Sequence, residues 1–172
     1  GVQNQDFSAA YCNAVNQWQV EQWTSKDPRL KASLMVPYED PLASVKEIEK
    51  WAGNKNFVQI LLLSRTAEPL GQRKYWPIYE AACKANLPVA VHAFGYGGAP
   101  VTGGGWPSFY IEEMVGHAQN TQSLLTSVVI EGVFEKFPAL KLILVEAGFA
   151  WIPALSWRLD KLWSRMRDEI PH

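Results

Sequence analysis

The stretch Phe57-Val58-Gln59-Ile60-Leu61-Leu62-Leu63-Ser64 decides how the rest of the chain is read. It is almost continuously apolar, yet far shorter than the ~18–20 residues that a membrane span needs. An apolar run of this length is a strand without a solvent face, expected here to be covered on both faces by helices, as in parallel sheets. Three further stretches read as strands: residues 30–36, stopped by Pro37; residues 89–92, Val-Ala-Val-His, led in by Leu87-Pro88; and residues 140–146, Leu-Lys-Leu-Ile-Leu-Val-Glu. Helical patterns separate them. Residues 6–24 repeat Phe7, Tyr11, Val15 and Trp18 at helical spacing. Asp40-Pro41 gives an N-cap and a first-turn proline for a helix to about residue 52, with Val45 and Ile48 facing inward. Residues 74–86 set Tyr75, Ile78, Tyr79 and Ala82 on one stripe. Residues 109–137 read as helix with a break expected near 119–121 and a stop at Pro138; residues 152–170 form the last helix, with Pro153 in its first turn.

Strands alternating with helices imply parallel pairing and right-handed crossovers. Two architectures satisfy this, an open doubly wound sheet and a segment of a closed (β/α)₈ barrel. A whole barrel needs eight strands and about 250 residues. With 172 residues and about four parallel strands, the chain reads as a single partial domain over residues 1–172. The first residue is not Met and the polar start has no secretory pattern, which reads as a processed or truncated product.

Composition narrows the function classes. Hydrophobic residues are 48% and charged residues 19%, enough for a core and a solvated surface, and the net charge of −1 comes without a basic patch. Nucleic acid and membranes are therefore not expected partners. Cys12 and Cys83 lie far apart and form no CxxC pair; they read as free thiols in a reducing compartment, hence a cytoplasmic setting. Of the eight tryptophans, Trp18, Trp23, Trp151, Trp157 and Trp163 are expected mostly to anchor helices against the sheet.

The residues suited to chemistry stand at strand ends. His92 closes a buried apolar strand and opens the Gly/Pro-rich residues 94–108. Imidazole there is a metal ligand or general base, or else bonds a neighbouring backbone group. Glu146 holds the corresponding place on the last strand and reads as a metal ligand, a partner of a metal-bound histidine, or an acid/base; the alternative is a helix cap or an ion pair with arginine. Residues 94–108 read as a lid or as a plain surface connection. His117, on the following helix, is a further acid/base candidate, with a surface or interface position as its alternative. No phosphate loop, GxSxG elbow or HExxH helix is present.

An ordered series of motifs adds a resemblance. It runs Tyr75-Trp76-Pro77-Ile78-Tyr79-Glu80-Ala81-Ala82, Leu87-Pro88-Val89-Ala90-Val91-His92, Gly132-Val133-Phe134-Glu135-Lys136-Phe137-Pro138, Val145-Glu146-Ala147-Gly148-Phe149-Ala150-Trp151-Ile152-Pro153 and Trp157-Arg158-Leu159-Asp160. The series resembles the amidohydrolase-related family, in the branch that includes aminocarboxymuconate-semialdehyde decarboxylase-like enzymes. The resemblance implies a (β/α)₈ barrel, of which these would be strands three to six, and a divalent metal, usually zinc, at the carboxyl ends of the strands. It implies that His92 is the metal ligand ending the fifth barrel strand. Glu146 falls where decarboxylase relatives place a histidine. The family's His-x-His pair after the first strand and its aspartate after the eighth have no counterpart here.

The expectation is thus a metal-dependent hydrolase acting on a small carboxylate, amide or ester-like substrate. His92 binds the metal, Glu146 and His117 act as acid/base groups, and Phe94, Trp106 and Trp151 wall the substrate pocket. One alternative is a non-oxidative decarboxylase of the same superfamily. Another is a non-catalytic half-barrel that self-associates through its open strand edges, and a homo-oligomer is expected either way.

Overall fold

A computed structural model describes residues 4–95 and 100–170. Four strands, β1 (Ala32–Met35), β2 (Phe57–Arg65), β3 (Val89–Gly95) and β4 (Leu142–Val145), form one parallel sheet in sequence order. They alternate with α1 (Gln5–Trp18), α2 (Pro41–Trp51), α3 (Trp76–Ala85), α4 (Tyr110–Ile130), α5 (Val133–Lys136) and α6 (Ile152–Met166). Sequential parallel strands with helical crossovers make a segment of a (β/α)₈ barrel.

The register separates the two faces of the sheet. Leu34, Ile60 and Val89 stand side by side, as do Leu62 and Val91, and all are buried in one cluster with Ile48, Tyr79, Ala82, Leu124 and Val128 from the helices. The opposite face carries Met35, Leu61, Leu63, Ala90, His92 and Ile143. This corrects the expectation of helices on both faces. The continuous apolar run in β2 arises because one face meets helices and the other is the inner face of a barrel, where side chains pack in layers.

Element starts follow local chemistry. Asp40 accepts the Ala43 N–H at 3.0 Å and Pro41 opens α2. The α3 stripe of Tyr75, Ile78, Tyr79 and Ala82 is fully buried, as its spacing implied. The expected break in α4 near residues 119–121 is absent. The helix runs unbroken to Ile130 and stops at Gly132, whose φ of +72° suits a residue without Cβ. Helix α1 also departs from the reading. Phe7, Tyr11 and Trp18 are exposed, and the buried flank is Cys12 and Asn16. The chain then continues through a π-helical turn, Gln19–Thr24, where Trp23 is exposed as well. Trp157, 73% exposed, and Trp163 on α6 are likewise exposed rather than buried against the sheet. Both cysteines are free. Among the described residues, no helix is long and apolar enough to cross a membrane.

Candidate active site

His92 and Glu146 meet at the carboxyl end of the sheet. His92 pairs in register with Val145, so the next residue, Glu146, leaves β4 beside it, and His92 Nε2 lies 3.7 Å from Glu146 Oε2. Glu146 takes φ +58°, a left-handed conformation that a residue with a Cβ adopts at a cost of about 1–3 kcal/mol. Gly148 follows with φ +66°, and Trp151 donates its indole N–H to the Ala147 carbonyl at 2.7 Å. The turn after β4 is thus pinned by Trp151, with the Glu146 side chain left 60% exposed at the mouth.

Phe94 joins the histidines. Its ring stacks on His92 with centroids 5.2 Å apart and meets His117 edge-on at 4.9 Å. Strand β3 extends through Phe94 and Gly95, so the expected loop begins two residues late, and residues 96–99 lie outside the described residues. The loop returns at Val101, which packs into α4. A Cβ on Gly116 would come within 2.5 Å of Val101 Cγ1, so only glycine admits this contact.

His117 is 3% exposed, which excludes the surface alternative. Neither ring nitrogen has a hydrogen-bond partner among the described residues. Burial lowers its pKa first, and the nearby Arg65 guanidinium adds to this; Glu113 and Glu146 pull the other way, while His92 again lowers it. His117 therefore favours the neutral imidazole, a form that both donates and accepts a proton. Trp106 is 65% exposed, and no hydrogen bond or ring contact ties it to His92 or Glu146 among the described residues.

Two groups escaped the sequence reading. Arg65 ends β2 as His92 nears the end of β3, and it pairs with Glu113 in the first turn of α4. The same rule that singled out His92, an ionisable residue closing an apolar strand, applies to it. Glu39, just past β1, also obeys that rule but works on structure. It accepts Lys74 Nζ at 2.7 Å, the Tyr75 hydroxyl at 3.2 Å and the Ala67 N–H at 2.8 Å, tying the segment after β2 to the end of β1. Burial, and next the Glu39 charge, push the Tyr75 hydroxyl up to about 12, so it stays a donor.

The donor set bears on a metal. Zinc–ligand distances of about 2.0–2.2 Å put two ligands of one tetrahedral ion roughly 3.4 Å apart. The His92–Glu146 separation of 3.7 Å is close to that, and imidazole plus carboxylate suits zinc, manganese or iron. The pair fits as two ligands of one divalent ion. A catalytic site needs about three, and among the described residues no three His, Cys, Asp or Glu side chains gather as a metal-binding group.

A parallel βα sheet with ionisable side chains at its carboxyl end defines a barrel-type enzyme scaffold. Residues 1–169 match the amidohydrolase family, and the chain belongs to it. The γ-resorcylate decarboxylase of Polaromonas sp. is 27% identical over 175 residues, which cover 91% of this chain and 51% of that protein. An amidohydrolase of Mycobacterium avium subsp. paratuberculosis superposes with a TM-score of 0.80 at 22% identity, over 98% of this chain and 46% of that one. A dihydroxybenzoic acid decarboxylase of Polaromonas sp., crystallised with manganese and the inhibitor 2-nitroresorcinol, gives 0.70 at 20% identity, over 97% and 53%. The chain spans about half the length of the proteins it matches.

Proposed function

We propose that the intact protein is a metal-dependent hydrolase that cleaves an amide or ester bond of a small carboxylate-bearing substrate. The observation that carries this reading is Glu146 beside His92 at the mouth of the sheet. His92 holds a divalent ion, zinc in our reading, which when bound polarises a substrate oxygen or acidifies a bound water. Glu146 takes the proton from the attacking water and hands it to the leaving group. Its exposure lets it reach both without a change of backbone. His117 is a second proton carrier, kept neutral by its surroundings. Phe94 stacks on His92, holds its ring plane and excludes water from one side; Trp106 and Trp151 complete the wall of the substrate pocket. The free cysteines support a reducing, cytoplasmic setting, and the bare strand edges support a homo-oligomer.

A second reading, non-oxidative decarboxylation, is favoured by the decarboxylases among the relatives. A carboxylate at position 146 favours hydrolysis, since a water must be deprotonated there. Two measurements on the intact protein decide the matter. The metal content of His92→Ala against wild type, by plasma mass spectrometry, should fall at least tenfold; an unchanged content removes His92 as a ligand. Aryl esters and amides, offered beside the corresponding aryl carboxylic acids, should yield titratable acid and no carbon dioxide. Carbon dioxide release with no ester or amide cleavage would reverse the two readings.

A further inference from the structure

Arg65 is a strand-end cation that the proposed chemistry does not use. Its side chain is 11% exposed, and Glu113, its partner from α4, is 31% exposed. Beside Arg65 lies a cavity of about 200 Å³ lined by Ser64, Arg65, Glu68, Leu70, Asn120 and Leu124, among others, with the Glu68 carboxylate already paired to Lys74 Nζ at 3.4 Å. Polar groups hold one wall of this cavity in place: Asn120 Nδ2 donates to Ser64 Oγ at 2.9 Å, and Ser64 Oγ donates to the Phe94 carbonyl at 3.3 Å. Phe94 is the residue stacked on His92, so this wall is hydrogen-bonded to the strand that carries the candidate metal ligand. His117, whose ring meets Phe94 edge-on, lies within electrostatic reach of Arg65 and Glu113 as well as of Glu146 and His92.

We propose that this cavity is a carboxylate-binding subsite, in which the carboxylate of a small ligand takes the place on Arg65 that Glu113 occupies in the free protein. A guanidinium presents planar, forked donors that match a carboxylate, and a carboxylate is what it already holds. Exchanging one carboxylate for another keeps the buried charge neutral, so the step avoids the cost of an unpaired ion. Glu113 is the more exposed partner, on a first turn, and water receives it on release. The cavity is too small for a drug-sized molecule but admits a single ring or a short chain, and Leu70 and Leu124 supply the apolar contact such a body needs. The inference rests on the proposed small-carboxylate substrate and names the group that would recognise its acid end.

The test is binding, separate from turnover. Benzoate and its neutral isostere benzamide are titrated into the intact protein by calorimetry, in the presence of chelator so that no metal contributes. Benzoate should bind at least about tenfold more tightly. Arg65→Met should abolish the preference and Arg65→Lys should keep part of it. Glu113→Gln, which removes the internal competitor, should tighten benzoate about tenfold and leave benzamide unchanged, a gain that misfolding cannot produce. Equal binding of the two ligands by wild type, or benzoate affinity unimproved in Glu113→Gln, would overturn the subsite. If the preference holds while no ester, amide or acid is turned over, the catalytic reading fails and the subsite stands. If turnover is found with a KM indifferent to Arg65→Lys, the reverse holds.

Discussion

At the scale of single residues, strand ends carry ionisable groups of two kinds, those left at the mouth of the sheet and those consumed by the fold. His92 and Glu146 were legible because each closes an apolar run, where an ionisable side chain has no packing reason to be. Arg65 obeys the same rule, but its meaning depends on Glu113, 48 residues away, and no local pattern carries that distance. Glu39 shows the rule's other outcome, a carboxylate consumed by Lys74, Tyr75 and a backbone N–H. Backbone strain adds to the case at Glu146. Glu146 holds φ +58° without a Cβ-free residue's freedom, and among the described residues its carboxylate has only the 3.7 Å approach of His92 to repay this. Under the proposed function, this strain is held for the chemistry of Glu146 rather than for the fold. Glu146→Gly should therefore stabilise the folded chain by about 1 kcal/mol in urea titrations, while catalysis by the intact protein is lost. A destabilisation of more than about 1 kcal/mol would mean that the carboxylate serves the fold.

At the scale of elements, periodicity placed every strand and the five longer helices, and it failed where a polar group replaced an apolar one. In α1 the recurring aromatics Phe7, Tyr11 and Trp18 suggested the buried face, yet the helix docks through Asn16. The Asn16 amide donates to the Met35 carbonyl at 2.8 Å and to Glu47 Oε1 at 2.9 Å, and its oxygen accepts the Met35 N–H at 2.9 Å. It thus pairs both backbone groups of one residue on the edge strand β1, as a neighbouring strand would. Glu47 is itself held by Trp51 Nε1 at 2.8 Å and Asn13 Nδ2 at 3.1 Å. A hydrophobicity pattern cannot see such a dock, because its cause is hydrogen bonding. Asn16→Leu should cost this chain about 3 kcal/mol, because it orphans two backbone groups and strips a buried carboxylate of a donor. Trp18→Ala should cost under about 1 kcal/mol, since that ring is largely in water. Urea midpoints of the two variants settle the ranking, and a larger loss for Trp18→Ala would show that the aromatic stripe is the real anchor.

For the whole molecule, the sheet has two edges and one covered face. Asn16 and Gln19 blunt the β1 edge at Met35 and Ser33, and β4 has no strand beyond it among the described residues. The inner face presents Ile143, exposed on β4, while α6 buries none of its residues and shows Ile152, Trp157, Leu162, Trp163 and Met166 to solvent. So many exposed apolar side chains are unusual on a monomer, and an open edge offers unpaired N–H and C=O groups to another chain. A closed barrel removes both problems at once, by pairing the edges and filling the interior. For the 172 residues on their own, the proposed remedy is self-association. Sedimentation of this chain at micromolar concentration should give species heavier than the 19.3 kDa monomer. Ile143→Lys places a charge on the open face of the edge strand, where it opposes both strand pairing and apolar contact, and should shift the distribution toward monomer. A wild-type chain that sediments as a single 19.3 kDa species would mean that the exposed faces are tolerated in water, and the self-association reading would fall with it.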